Sequence, residues 1–160
     1  MDLSPGSPTG LGLGPRQPIL VVDDDPDSRT VTGAILARAG FTVVEAAGAL
    51  AALELAAATR FACAVLDVHL PDFSAFELCR RLLHTHRWDR TPVVFLSAKT
   101  PGAELRLRMG AVGFVYLERP FRATHLLAAV GDALATGEGL RAGERRRWQV
   151  LAGAEEAVLA

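Results

Sequence analysis

From Ile19 onward the chain alternates short, unbroken apolar runs with longer segments whose apolar residues recur every three or four positions. The runs are Ile19-Leu20-Val21-Val22, Thr42-Val43-Val44, Cys63-Ala64-Val65-Leu66, Val93-Val94-Phe95-Leu96 and Phe114-Val115-Tyr116-Leu117. Unbroken runs of this length fit strands covered on both faces. Helical stripes lie between them: Val31, Ala34, Ile35 and Ala39, closed by Gly40; Leu50, Leu53 and Ala57; Phe76, Cys79, Leu82 and Leu83. A weaker segment covers Leu105 to Met109, and a last stripe holds Leu126, Leu127, Val130 and Leu134. Five strand–helix alternations predict an α/β fold, a doubly wound parallel sheet with right-handed crossovers. In such sheets ligands sit at the carboxyl ends of the strands.

Those ends hold the candidate chemistry. The first strand runs into Asp23-Asp24-Asp25, the third into Asp67, the fourth into Ser97, and the fifth into Glu118-Arg119-Pro120. Three carboxylates crowded at one edge repel unless a cation lies among them. Carboxylates and carbonyls without a Cys or His set suit a hard cation, here Mg²⁺. A hydroxyl and a basic side chain beside that cluster suit a tetrahedral anion, so the pattern points to a Mg²⁺ site that handles a phosphoryl group. The Asp-Asp-Asp-Pro-Asp-Ser run also reads simply as a helix N-cap with an acidic first turn.

Composition narrows the classes. The 160 residues carry 17 basic and 18 acidic side chains, a net charge of −1, which gives no electrostatic footprint for nucleic acid or an anionic membrane. No apolar run approaches a membrane span, and Cys63 and Cys79 form neither a disulfide framework nor a metal set. The expected location is cytoplasmic. Lys99 is the sole lysine among the basic residues.

Residues 19–135 resemble the receiver domain of bacterial two-component response regulators. The resemblance is carried by Leu20-Val21-Val22-Asp23-Asp24-Asp25, Val65-Leu66-Asp67-Val68-His69-Leu70-Pro71-Asp72, Val94-Phe95-Leu96-Ser97-Ala98 and Tyr116-Leu117-Glu118-Arg119-Pro120-Phe121, and by the spacing from Asp24 to Asp67, Ser97 and Arg119. It implies a flavodoxin-like (βα)5 sheet of strand order 2-1-3-4-5. It implies that Asp67 is the phosphoacceptor, attacking a kinase phosphohistidine, so that the chain is not an enzyme in its own right. Asp24 and Asp67 would ligate Mg²⁺ directly, Asp23 mainly through water, and His69 through its backbone carbonyl. Ser97 would bond a phosphoryl oxygen, and Tyr116 (or Phe114) would be the switch aromatic. The implied partners are a histidine kinase or phosphotransfer protein, and a second copy through helix four, strand five and helix five.

Arg119 departs from the family's lysine, and a planar fork does not replace a compact ammonium at a tight site. An atypical, phosphorylation-independent interaction module is therefore the alternative reading. Gly110-Ala111 lies nine residues before Arg119 where the family's pair lies seven before its lysine. This predicts a shorter helix four and a longer loop into strand five. His84 and His86 read as solvated surface.

Residues 1–18, rich in Pro and Gly, read as a flexible leader. Residues 136–160 read as a separate tail, helical or partly disordered, with Arg145-Arg146-Arg147 on a solvated face. Leu151 to Leu159 resembles the opening of a LuxR-type helix-turn-helix output domain, which would make the tail a remnant of such a domain. The chain would then be a truncated DNA-binding transcriptional regulator; without a recognition helix, no sequence-specific DNA binding is expected of it.

Overall fold

The computed structural model describes residues 17–84, 88, 90–140 and 145–159. His86 and nearly all of the 1–18 leader lie outside the described residues. The elements alternate as β1 (Ile19–Val22), α1 (Pro26–Arg38), β2 (Val43–Ala46), α2 (Ala49–Ala58), β3 (Cys63–Asp67), α3 (Ala75–Leu83), β4 (Val93–Ser97), α4 (Ala103–Ala111), β5 (Phe114–Glu118) and α5 (Ala123–Gly137), followed by α6 (Arg145–Leu159). The five strands are parallel in the order β2-β1-β3-β4-β5. This is the doubly wound, flavodoxin-like arrangement. No helix among the described residues is long and apolar enough to cross a membrane.

Successive strand residues point to opposite faces, so each run feeds two cores. Ile19, Val21, Cys63, Val65, Val94 and Leu96 pack with Leu36 of α1 and with Leu126, Ala129, Val130 and Ala133 of α5. Leu20, Val22, Ala64, Leu66, Val93, Phe95, Phe114 and Tyr116 face α2, α3, α4 and α6. Both cysteines are fully buried, and burial pushes their thiols up to about 12, which keeps them unreactive core groups.

Helix phasing follows the sequence only where polar and apolar positions contrast. The α3 stripe Phe76, Cys79, Leu82 and Leu83 is buried throughout. In α1 the expected stripe is displaced: Val31 is 58% exposed, while Thr32, Gly33 and Leu36 face inward. Gly33 packs there beside β2, where a Cβ would stand 2.8 Å from Glu45 Oε2, the end of a flexible side chain that can yield. In α2, which is apolar nearly all round, Ala49, Ala52 and Ala56 turn inward and Leu50 outward. Only Val112 and Gly113 join α4 to β5, so the connection is short, not lengthened. Gly110 and Ala111 form the last turn of α4, and Gly113, at φ +83°, makes the tight reversal.

The segment after α5 is not separate over 145–159. Val150, Leu151, Ala154 and Val158 of α6 join the core on the α3–α4 side, and Glu155 pairs with Arg80 of α3. Arg147, expected on a solvated face, is 1% exposed. Its Nε donates to the Val112 carbonyl at 2.8 Å and its Nη2 to the Thr91 carbonyl at 2.7 Å, while its guanidinium lies 4.5 Å from the centre of the Phe114 ring. Satisfied donors and an aromatic floor let a charge sit there. His84 lies against Trp148 of α6, ring centres 4.9 Å apart.

Candidate functional site

The three residues after β1 separate into three tasks. Asp23 is 1% exposed, and its Oδ1 accepts from the Asp25 N–H at 3.0 Å. Asp24 is exposed at the sheet edge. Asp25 is the N-cap of α1, accepting from the Ser28 N–H at 3.3 Å, so the capping reading holds for this one residue. Asp67 ends the central strand β3, half-buried, and accepts from the His69 N–H at 3.3 Å. One carboxylate oxygen from each of Asp23, Asp24 and Asp67 lies within 4.8 Å of the others. Three clustered oxygens with no thiolate or imidazole among them fit a hard divalent cation of the Mg²⁺ kind.

The neighbouring strands close the site. Asp67 pairs with Leu96 in β4, so Ser97 follows on the next strand at the same edge. Ser97 is 2% exposed, and its Oγ accepts from the Lys99 N–H at 3.2 Å. Glu118 pairs with Ser97, which brings Arg119 to the same edge; the Arg119–Pro120 peptide is cis. The Arg119 N–H donates to the Ser97 carbonyl at 2.8 Å. Its side chain reaches back across the sheet: Nη2 to Asp23 Oδ2 at 3.0 Å, Nη1 to Ser28 Oγ at 2.8 Å.

Burial dominates the electrostatics of Asp67 and raises its carboxyl above the usual 3.8. The Arg119 guanidinium pulls it down, Asp23 pushes it up, the His69 N–H lowers it, and Asp24 raises it again. A carboxylate so placed gains when positive charge arrives beside it.

Tyr116 and Phe114 differ in their surroundings. The Tyr116 hydroxyl donates to the Lys99 carbonyl at 2.5 Å, close behind Ser97. Phe114 is the first residue of β5, two positions earlier, paired with Val93, fully buried and covered by Arg147.

Two contributors lie inside runs already singled out, but in roles that the runs do not signal. Ser28 fixes the second arm of Arg119, and only its place two residues past the Pro-opened helix start hints at that. Asp72 reaches from the loop after β3 to α2, where Oδ1 accepts from the Ala49 N–H at 3.0 Å and Oδ2 from the Leu50 N–H at 2.8 Å. That bond ties the loop carrying His69 to the start of a helix.

A family model described as the response regulator receiver domain matches residues 19–131. The chain is 34% identical over 114 residues to the transcriptional regulatory protein GltR of Pseudomonas aeruginosa, covering 70% of this chain and 46% of that protein. It is 37% identical over 110 residues to the response regulator MprA of Mycobacterium ulcerans, covering 69% and 47%. The chain thus spans about half the length of the curated relatives it matches. Among solved structures it resembles the chemotaxis protein CheY4 of Vibrio cholerae, with a TM-score of 0.67 and 29% identity over 75% of this chain and all of that one. A receiver domain protein from Methanospirillum hungatei gives a TM-score of 0.66 at 25% identity, covering 78% of this chain and 98% of that one.

Proposed function

The chain belongs to the response regulator receiver domain family, and we propose that it accepts a phosphoryl group on Asp67 and changes its binding to other proteins in response. The observation that carries this reading is the setting of Asp67. It ends the central strand, among the carboxylates of Asp23 and Asp24, with Ser97 on the next strand and the Arg119 guanidinium in the same cluster.

An Asp67 oxygen attacks the phosphorus of a phosphohistidine. The O–P bond forms as the N–P bond breaks, and the leaving imidazole nitrogen keeps the electron pair and takes a proton. Asp23, Asp24 and Asp67, with the His69 carbonyl, would hold Mg²⁺; its charge would offset the negative charge gathered at the phosphoryl oxygens. Ser97 Oγ donates to one phosphoryl oxygen, and the Arg119 guanidinium answers another. Drawing Ser97 Oγ toward a phosphoryl oxygen shifts the acceptor of its bond from the Lys99 N–H, and Tyr116, bonded to the Lys99 carbonyl, registers the change.

The same reading takes the domain as residues 19–135, acting in the cytoplasm with a histidine kinase or phosphotransfer protein as donor. It places a homodimer on α4, β5 and α5, where a groove of about 450 Å³ lies beside Leu107, Val115 and Asp132 and where Leu107 is 77% exposed.

Intact mass after incubation with Mg²⁺ and a small acyl-phosphate donor tests the core of this. Wild type gains one phosphoryl group, and Asp67→Asn gains none. A second reading, an interaction module that does not use phosphate, draws on the engagement of Arg119 with Asp23 and Ser28. It predicts no gain in either protein.

A further inference from the structure

We propose that Ser28 and Arg119 form a latch on Asp23 that competes with a divalent cation for the acidic site; this rests on the reading of that site given above. Both Asp23 carboxylate oxygens are already engaged. Oδ1 takes the Asp25 N–H inside the turn, and Oδ2 takes Arg119 Nη2 at 3.0 Å. The guanidinium is in turn held from a second element, because Nη1 donates to Ser28 Oγ at 2.8 Å. Ser28 is itself fixed in the first turn of α1, where its N–H is capped by Asp25. One planar fork therefore bridges the loop after β5 to the carboxylate and the helix at once. A single ammonium nitrogen does not span two such acceptors as two guanidinium nitrogens do.

The Asp23 side chain is 2% exposed and that of Arg119 28%, so their attraction is poorly screened. The fork supplies, from within the chain, part of the positive charge that three clustered carboxylates require. A cation that draws on Asp23 Oδ2, directly or through a water, competes with Arg119 for that oxygen. Binding the cation and closing the latch then oppose each other, and by linkage each weakens the other by the same factor. A released guanidinium is free to turn to a phosphoryl group on Asp67, so cation entry also arms the site.

The experiment is Mg²⁺ binding by titration calorimetry, with the signal of the Arg119 Nε–H followed by NMR in the same titration. Ser28→Ala removes one anchor of the fork and should bind Mg²⁺ about fivefold more tightly, equal to about 1 kcal/mol at 1.4 kcal/mol per tenfold. Ser28→Thr keeps the hydroxyl and should keep wild-type affinity. Arg119→Lys should also bind more tightly. In wild type, Mg²⁺ should shift the Arg119 Nε–H signal and speed its exchange with water. Asp24→Asn is the check on the site itself and should abolish binding in every background. Affinity unchanged or weakened in Ser28→Ala, with binding still lost in Asp24→Asn, overturns the latch and leaves the site standing. Binding indifferent to Asp24→Asn overturns the site, and the latch with it.

Discussion

Replacing Arg147 by methionine should destabilise the protein by about 2–4 kcal/mol. Methionine keeps the apolar stem of arginine but is shorter and offers no donors. The substitution removes the donors to the Val112 and Thr91 carbonyls, which now accept at 2.8 and 2.7 Å, and a hydrogen bond from a charged group is worth about 1.5–3 kcal/mol. It also removes the guanidinium from the Phe114 face, a contact worth about 0.5–2 kcal/mol. Against these losses stands relief from burying a charge, which holds the total below their sum. Arg147→Lys should recover less than half of the loss, because one ammonium does not reach two carbonyls on separate strand entries. Urea unfolding followed by circular dichroism measures the change, and hydrogen exchange locates it. The α6 amides and those around Val112 should exchange faster, with β1 and β3 unaffected. A loss under about 0.5 kcal/mol, the usual range for surface positions, would refute the reasoning and mean that α6 is not docked through this residue.

Other substitutions test other parts of the account. Asp72→Ala removes the carboxylate that caps α2 and should cost about 1–2 kcal/mol. Burial works against ionising Asp72, but the N–H donors of Leu50, Ala49, Asp72 itself and Phe73 outweigh it and hold the carboxyl below its usual 3.8. Its contribution is therefore present above that value and fades as the pH falls through the folded value, so wild type and Asp72→Ala should converge in acid melts. Asp67 has the opposite sign: its raised carboxyl burdens the fold at neutral pH. Asp67→Asn should raise the melting temperature of the metal-free protein at pH 7, with the gain shrinking toward low pH. On α4, Met109→Ala should cost about 2–5 kcal/mol and Leu107→Ser less than about 0.5, because Met109 is fully buried and Leu107 is 77% exposed.

The sheet was legible because strands buried on both faces must be apolar at every position, and Ile19–Val22 or Val93–Leu96 leave no other reading. The site was legible because its residues fall one after another at strand ends, where the topology gathers them. Helix phase was legible in α3, where Phe76, Cys79, Leu82 and Leu83 contrast with charged neighbours, and not in α2, where alanines and leucines alternate without contrast. In α1 the packing face is built around Gly33, which has no side chain to signal it. Arg147 misled because charge is ordinarily a surface mark, and its carbonyl partners lie 35 and 56 residues away in the chain. A signal was nonetheless present. Val150, Leu151, Ala154 and Val158 recur at helical spacing from Arg147 and mark one buried face. Ser28 carried no signal of its own, since its role follows from where Arg119 reaches after β5 has crossed the sheet.

The central claim is that Asp67, and no other carboxylate of the cluster, carries the phosphoryl group. It is tested most directly by trapping the acyl phosphate. The protein is treated with Mg²⁺ and an acyl-phosphate donor, reduced with borohydride and digested, and the resulting homoserine is located by peptide mass. The account predicts homoserine at position 67 and at neither 23 nor 24, with none in Asp67→Asn. Homoserine at 23 or 24, or a phosphorylated protein with position 67 unmodified, would contradict it.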